Sequence, residues 1–180
     1  MATLKDIDTG NSTAKKQDSK EWFKNISSVN FLKQNQAFQT RTIEHGQMIA
    51  FFYDPLTKEK LPYYDTFPLV LPFEPTNTHF KGINLHYIAP KLRAVLLSKL
   101  MEISSSTLPT TKKLIFSWDT IKSFGALPQA KACIKQYLFG QVKSNFIVVP
   151  QKDWERVIWL PLGRFKKKSE EYVWSQAGGN

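Results

Sequence analysis

A chain of 180 residues with 42% hydrophobic and 13% aromatic residues carries enough apolar surface for one packed core. Its net charge of +10 favours a polyanionic neighbour, and its lone cysteine, Cys133, excludes an intrachain disulfide and fits a reducing compartment. No apolar run approaches the roughly 18–20 residues of a membrane span, and the opening residues lack the apolar segment of a signal peptide, which argues against a span and against secretion by that route.

The charge is uneven. Residues 1–46 hold 7 Lys/Arg against 5 Asp/Glu, residues 47–90 hold 3 against 4, and residues 91–180 hold 15 against 6. The excess therefore sits in the C-terminal half, where it suits nucleic acid, an anionic membrane, an acidic protein face or simply solvent.

Residues 1–18 are polar and read as a flexible N-terminal arm, residues 19–175 as a single compact α+β domain, and residues 176–180 as a frayed tail. Ser19 suits the cap of a helix starting at Lys20, with Trp22, Phe23, Ile26, Phe31 and Leu32 at partly helical spacing. Trp22 and Phe23 suit either the core or an anchor into another subunit. Gln47–Tyr53 is a strand by residue type, and Asp54-Pro55-Leu56-Thr57-Lys58 a turn. Further strands are expected over Lys60–Tyr64, Pro68–Phe73 and Phe80–Ile88, and Gly82 marks a bulge or a close backbone approach. Six of the ten prolines (Pro55, Pro62, Pro68, Pro72, Pro75 and Pro90) interrupt this stretch and keep its runs short. The expected sheet is small, antiparallel and barrel-like, with about four to five strands and helices packed on it, mostly C-terminal.

Pro90 opens the most regular helix, through Leu92, Leu96, Leu100 and Ile103, with Arg93 and Lys99 expected outward. Residues Lys112–Ser117 fit either a strand or the lead into a helix over Trp118–Phe124. Pro128 opens another expected helix through Phe139, Ser144–Val149 a strand, and Asp153 a short helix.

No constellation for catalysis stands out. His45, His79 and His86 lack the partners of a zinc site, and His86 reads as a packed histidine with a hydrogen-bond partner. Cys133 beside Lys131 and Lys135 is a buried thiol by residue type. Asp54, Asp65 and Glu74 are the carboxylate candidates for a metal-dependent nuclease site, but Asp54 and Asp65 look like turn residues. Phosphate-loop, dinucleotide and nucleophile-elbow motifs are absent, so neither an enzyme nor a cofactor is expected. The nucleic-acid candidates are Lys112, Lys113, Lys131, Lys135, Arg164, Lys166, Lys167 and Lys168, which would give salt-sensitive, sequence-independent contacts. The protein-interface candidates are Tyr63, Tyr64, Phe67, Trp22 and Phe23.

The segments Tyr53-Asp54-Pro55 with Thr57-Lys58, Leu61–Asp65 with Phe67–Val70, and Gly82, Asn84–Tyr87, Pro90, Leu92-Arg93-Ala94 resemble small proteins of T-even-like contractile-tailed phages. Ile134–Leu138 fits as well. The resemblance runs from Gly46 to about Phe165 and implies a non-enzymatic virion protein assembled in the bacterial host cytoplasm. It implies either a tail, baseplate or neck subunit, or the DNA end protector that guards genome termini. The near-neutral aromatic–proline stretch and the presence of only four arginines (Arg41, Arg93, Arg156 and Arg164) favour the assembly subunit, docking on other virion proteins through that sheet. Double-stranded DNA on the basic half is the alternative.

Overall fold

The computed structural model describes residues 12–35, 39–44, 46–160 and 165–176. Its strands are β1 (Gln39–Thr40), β2 (Met48–Ala50), β3 (Tyr64–Asp65), β4 (Leu69–Phe73), β5 (His79–Asn84), β6 (Ile134–Leu138), β7 (Phe146–Val149) and β8 (Phe165–Lys166). Its α-helices are α1 (Ser12–Ile26), α2 (Val29–Gln34), α3 (Pro90–Ser105), α4 (Thr110–Gly125), α5 (Trp154–Ile158) and α6 (Glu170–Gln176). Among the described residues the strands form a six-stranded antiparallel sheet in the order β1-β7-β2-β4-β5-β6, and β3 pairs with β8 apart from it.

The α+β class holds, with two corrections. The helices are spread through the chain, since α1 and α2 precede the sheet. The sheet is open rather than a closed barrel, with β1 and β6 at its edges. The chain beyond β2 leans on the β6–β7 connection: Tyr53 bridges Val142, and Lys143 N–H donates to the Phe52 carbonyl at 2.8 Å.

The period-2 pattern of each strand sorts its side chains into two clusters. Met48, Ala50, Leu69, Leu71, Ile83, Ile147 and Val149 face the helices. Ile49, Val70, Phe80, Tyr137 and Phe146 join Phe51 on the other face. Phe51 is the centre of that second cluster, with the rings of Tyr137 and Phe146 both 5.2 Å away and edge-on.

Helix α1 begins at Ser12, not Lys20, so residues 12–18 of the expected arm are helical and residues 1–11 lie outside the described residues. Ser19 is consequently a buried mid-helix residue. Asp18 accepts from Arg156 Nε at 2.9 Å, and Lys15 reaches Glu155 at 3.4 Å, which fastens α1 to α5. The expected tail residues 177–180 also lie outside the described residues.

Arg93, expected outward, is 1% exposed. Its guanidinium donates to the carbonyls of Ile88 (2.8 Å), Val157 (3.1 Å) and Leu160 (2.8 Å). The regular i to i+4 ladder runs out at the end of α5, and the forked guanidinium adds donors to the Val157 and Leu160 carbonyls there. Residues 112–124 are helical throughout, as part of α4.

The helix expected from Pro128 to Phe139 is instead a 3-10 turn over Pro128–Cys133 followed by β6. The open edge of β5 takes this segment as a partner, with Phe80 opposite Tyr137 and Gly82 opposite Lys135, and tertiary pairing overrides local propensity. The long strand expected to Ile88 stops at Asn84, whose side-chain oxygen caps a 3-10 turn over Leu85–Tyr87 by accepting His86 N–H at 2.9 Å. The strand expected over Lys60–Tyr64 shrinks to β3, caught between Pro62 and Pro68.

Gly82 marks a close approach, in regular register with Pro72 and without a bulge. A Cβ there would lie 2.2 Å from Val70 Cγ1 and 3.1 Å from the Leu71 carbonyl oxygen. Val70 is fully buried and β-branched, so it cannot swing aside. Gly82→Ala is expected to destabilise the fold by about 1–3 kcal/mol, read as a lower urea midpoint at unchanged slope.

Candidate nucleic-acid interface

A cleft of about 340 Å³ opens between the turn after β2 and the edge strand β6. One wall is Tyr53, Pro55, Leu56, Thr57 and Leu61; the other is Lys135, Gln136 and Leu138. Tyr63, Tyr64 and Tyr87 close it, and Asp65, Asn84 and Tyr137 form the floor. The turn wall is built as the sequence implies: Lys58 N–H donates to the Pro55 carbonyl at 3.2 Å, and Asp54 pairs with Lys58 Nζ at 2.9 Å.

The floor is a buried polar network, in which the outer ring nitrogen of His86, Nε2, has no partner among the described residues. Asp65 is buried and accepts from His86 Nδ1 (2.6 Å), Asn84 Nδ2 (3.0 Å) and Phe67 N–H (3.0 Å). Asn84 Nδ2 also donates to the Tyr137 hydroxyl at 3.0 Å. Burial pushes the Asp65 carboxyl up, but the His86 charge and these hydrogen bonds outweigh it and hold the carboxyl below its usual range. His86 is packed as expected, at 1% exposure, with Phe23 edge-on at 5.0 Å.

The tyrosines of the lining are electrically neutral. Burial raises the phenols of Tyr53, Tyr63, Tyr87 and Tyr137, so none presents a negative charge to a polyanion. Tyr53 holds its ring by accepting Leu138 N–H at 3.2 Å and by an edge contact with Tyr137 at 5.0 Å. Lys135 is the cation of the cleft. Its Nζ lies 4.1 Å from the Tyr87 ring centroid, and burial pushes its ammonium below the usual lysine range. The neighbouring Cys133 thiol is buried and pushed up to about 11, again by burial.

The structure joins groups that lie far apart in the sequence. Tyr63, Tyr64 and Lys135 line the cleft together. Lys166 stands opposite Tyr64 in the β3–β8 pair, which brings the basic run to the cleft's edge. Lys167, at φ 75°, curls its ammonium onto the carbonyls of Lys58, Glu59 and Leu61 at 2.9, 3.2 and 2.9 Å, so it fastens the turn wall. Lys168 Nζ lies 4.7 Å from the Tyr172 ring. Lys112 and Lys113 are on α4, where Lys113 donates to the Ser104 carbonyl at 2.8 Å, and Lys131 is exposed in the 3-10 turn before β6. Arg164 lies outside the described residues.

Of the interface candidates, Phe67 is fully buried and Phe23 is 6% exposed, both in the main core. Trp22 is half-buried against α2, away from the cleft, and lines a groove with Ile26, Phe31 and Pro150. Sequence reasoning did not single out Tyr53, Asn84, Tyr87 or Tyr137. All four stand in the segments that resemble phage proteins, but nothing in the sequence pointed to the Asn84–Tyr137 contact, which spans 53 residues. Asp54, Asp65 and Glu74 do not converge: Asp54 pairs with Lys58, Asp65 with His86, and Glu74 with Lys81 at 2.9 Å. Among the described residues no group of three metal-ligating side chains occurs, and no helix is long and apolar enough to cross a membrane.

A carboxyl held below its unfolded value stabilises the fold above the ordinary pKa of 3.8, and the stabilisation is lost as pH falls through the folded value. The wild type is therefore expected to weaken as pH falls below about 4. Asp65→Asn should be less stable by a few kcal/mol at pH 7 and show a flatter acid limb, measured by urea midpoints across pH.

A family model described as Phage T4 terminal DNA protecting protein matches residues 1–177. No curated protein and no solved structure matches the chain. The match takes in the N-terminal residues that the resemblance of the central stretch left out, and it fits the DNA end protector better than the tail or baseplate subunit. Two of the five aromatics expected at a docking face, Phe23 and Phe67, are core residues. The family is one of protective binding proteins, not of enzymes. From the extent of the match, the chain belongs to the phage T4 terminal DNA protecting protein family.

Proposed function

We propose that this protein binds the ends of linear double-stranded DNA and shields them without chemistry, as part of a contractile-tailed phage virion. The family match over residues 1–177 is the observation that carries the reading. The 15 Lys/Arg against 6 Asp/Glu of residues 91–180 supply the phosphate attraction, and their bias to lysine suits point-charge contact without base readout. Lys166 stands opposite Tyr64, a residue of the aromatic cleft; Lys168, Lys112, Lys113 and Lys131 would extend the basic surface, and Arg164 would continue the run at its start.

Contact with other virion proteins is a second use of the surface. It is favoured by the consecutive exposed side chains Leu114, Ile115 and Phe116 on α4, which are 44%, 53% and 45% exposed.

The reading is checked by exonuclease digestion of a linear duplex with and without the protein, at rising salt. Protection should be strong at low salt and fade steeply as salt rises. The double variant Lys166→Glu, Lys168→Glu spares the Lys167 fastening and should flatten the log–log salt slope of binding by about two or more. Digestion at the same rate with and without protein at low salt would end this reading.

A further inference from the structure

We propose that the tyrosine-lined cleft receives the terminal nucleotide of a DNA end, with its base stacked against Tyr63 and Tyr64 and its phosphate on Lys135. This rests on the end-protecting reading and names the place where an end is told from continuous duplex.

Four observations carry it. The cleft, about 340 Å³, is of the size that takes one small ligand, and it is far too small for a duplex. Only an unpaired nucleotide fits. A terminal pair is stacked on one side alone, so it opens at less cost than an internal pair, and a closed circle offers no such nucleotide. The lining then matches what an unpaired nucleotide presents. Tyrosine faces stack on any base, and Tyr53, Tyr63 and Tyr87 are neutral phenols.

Lys135 is a cation set among those rings, and among the described residues no ion pair engages it. The one carboxylate of the lining, Asp65, already accepts from His86, Asn84 and Phe67. An arriving phosphate therefore meets Lys135 without first displacing a carboxylate. Last, the one side-chain amide of the floor is not free to read a base edge. The Asn84 amide is spent on Asp65 and Tyr137, and its oxygen on His86 N–H. Capture should be indifferent to base identity, since stacking and a point charge do all the recognition. Lys166, across from Tyr64, stands where the next phosphates of the captured strand would leave the cleft.

The test is a competition gel shift in which linear and circular duplexes of one sequence compete for the full-length protein. The wild type is compared with Lys135→Gln, Lys135→Arg and Gln136→Glu. Gln136 is exposed on the cleft wall, so its replacement leaves the core untouched and puts a repelling charge at the mouth. The expected result is that Lys135→Gln and Gln136→Glu lose roughly tenfold or more of the preference for linear DNA. Lys135→Gln should also lower the salt slope by about one, and Lys135→Arg should retain the preference. If Lys135→Gln fails to fold, Gln136→Glu decides. Wild-type preference for ends that survives in the folded variants would overturn the cleft assignment and leave the end-protecting reading standing. A wild type that binds linear and circular DNA alike would overturn both.

Discussion

The Asp65 carboxylate holds together the parts that matter most to the cleft. One oxygen takes His86 and Asn84, and the other takes the Phe67 amide. These partners come from the end of β5, the 3-10 turn after it and the chain leaving β3. A buried charge is tolerated only when hydrogen bonds compensate it, and here three donors do so. The turn after β5 is tied again on its far side, where Trp174 Nε1 donates to the His86 carbonyl at 2.8 Å and brings α6 against it. Tyr63 and Tyr64, immediately before this carboxylate, inherit their position from it.

Two buried ions thus organise two sides of the molecule by opposite logic. Asp65 gathers donors beneath the cleft, whereas Arg93 gathers carbonyls where α3, α5 and the turn before α3 meet. The Arg93 guanidinium also lies 5.8 Å from the Trp174 ring, so α6 touches both centres. The sheet between them is covered unequally: helices pack one face, and the Phe51 cluster fills the other with rings. That second cluster includes Tyr137 and is joined at its margin by Tyr53, both of which also line the cleft, so the cleft is an outlying part of the aromatic packing.

What the sequence made legible was local. Pro90 at the first helical position, the Pro55 turn, the apolar run of β4 and the close approach at Gly82 each rest on neighbours within a few residues, and each stands in the fold. What it hid was long-range. Ile134–Leu138 has acceptable helical spacing, and only the vacant edge of β5 makes it a strand. Arg93 reads as a surface residue until the Val157 and Leu160 carbonyls at the end of α5 arrive beside it. Asp65 reads as a turn residue until His86, 21 residues on, arrives beside it. The cleft was half legible for the same reason. Its tyrosines and its lysines each stood out, but the register of β6 against β5 and of β8 against β3 puts them side by side.

Cys133 takes on a use from its position. It is the chain's sole cysteine, fully buried at the end of the 3-10 turn that leads into β6, and its thiol hydrogen-bonds the Tyr87 carbonyl at 3.4 Å. A thiol pushed up to about 11 is almost wholly protonated in neutral solution and unreactive while enclosed. Alkylating reagents therefore reach it only when the segment carrying Lys135 lifts away from the body of the protein. The molecule carries its own clock for the opening of the cleft's edge strand, with a single reactive atom and no engineered label.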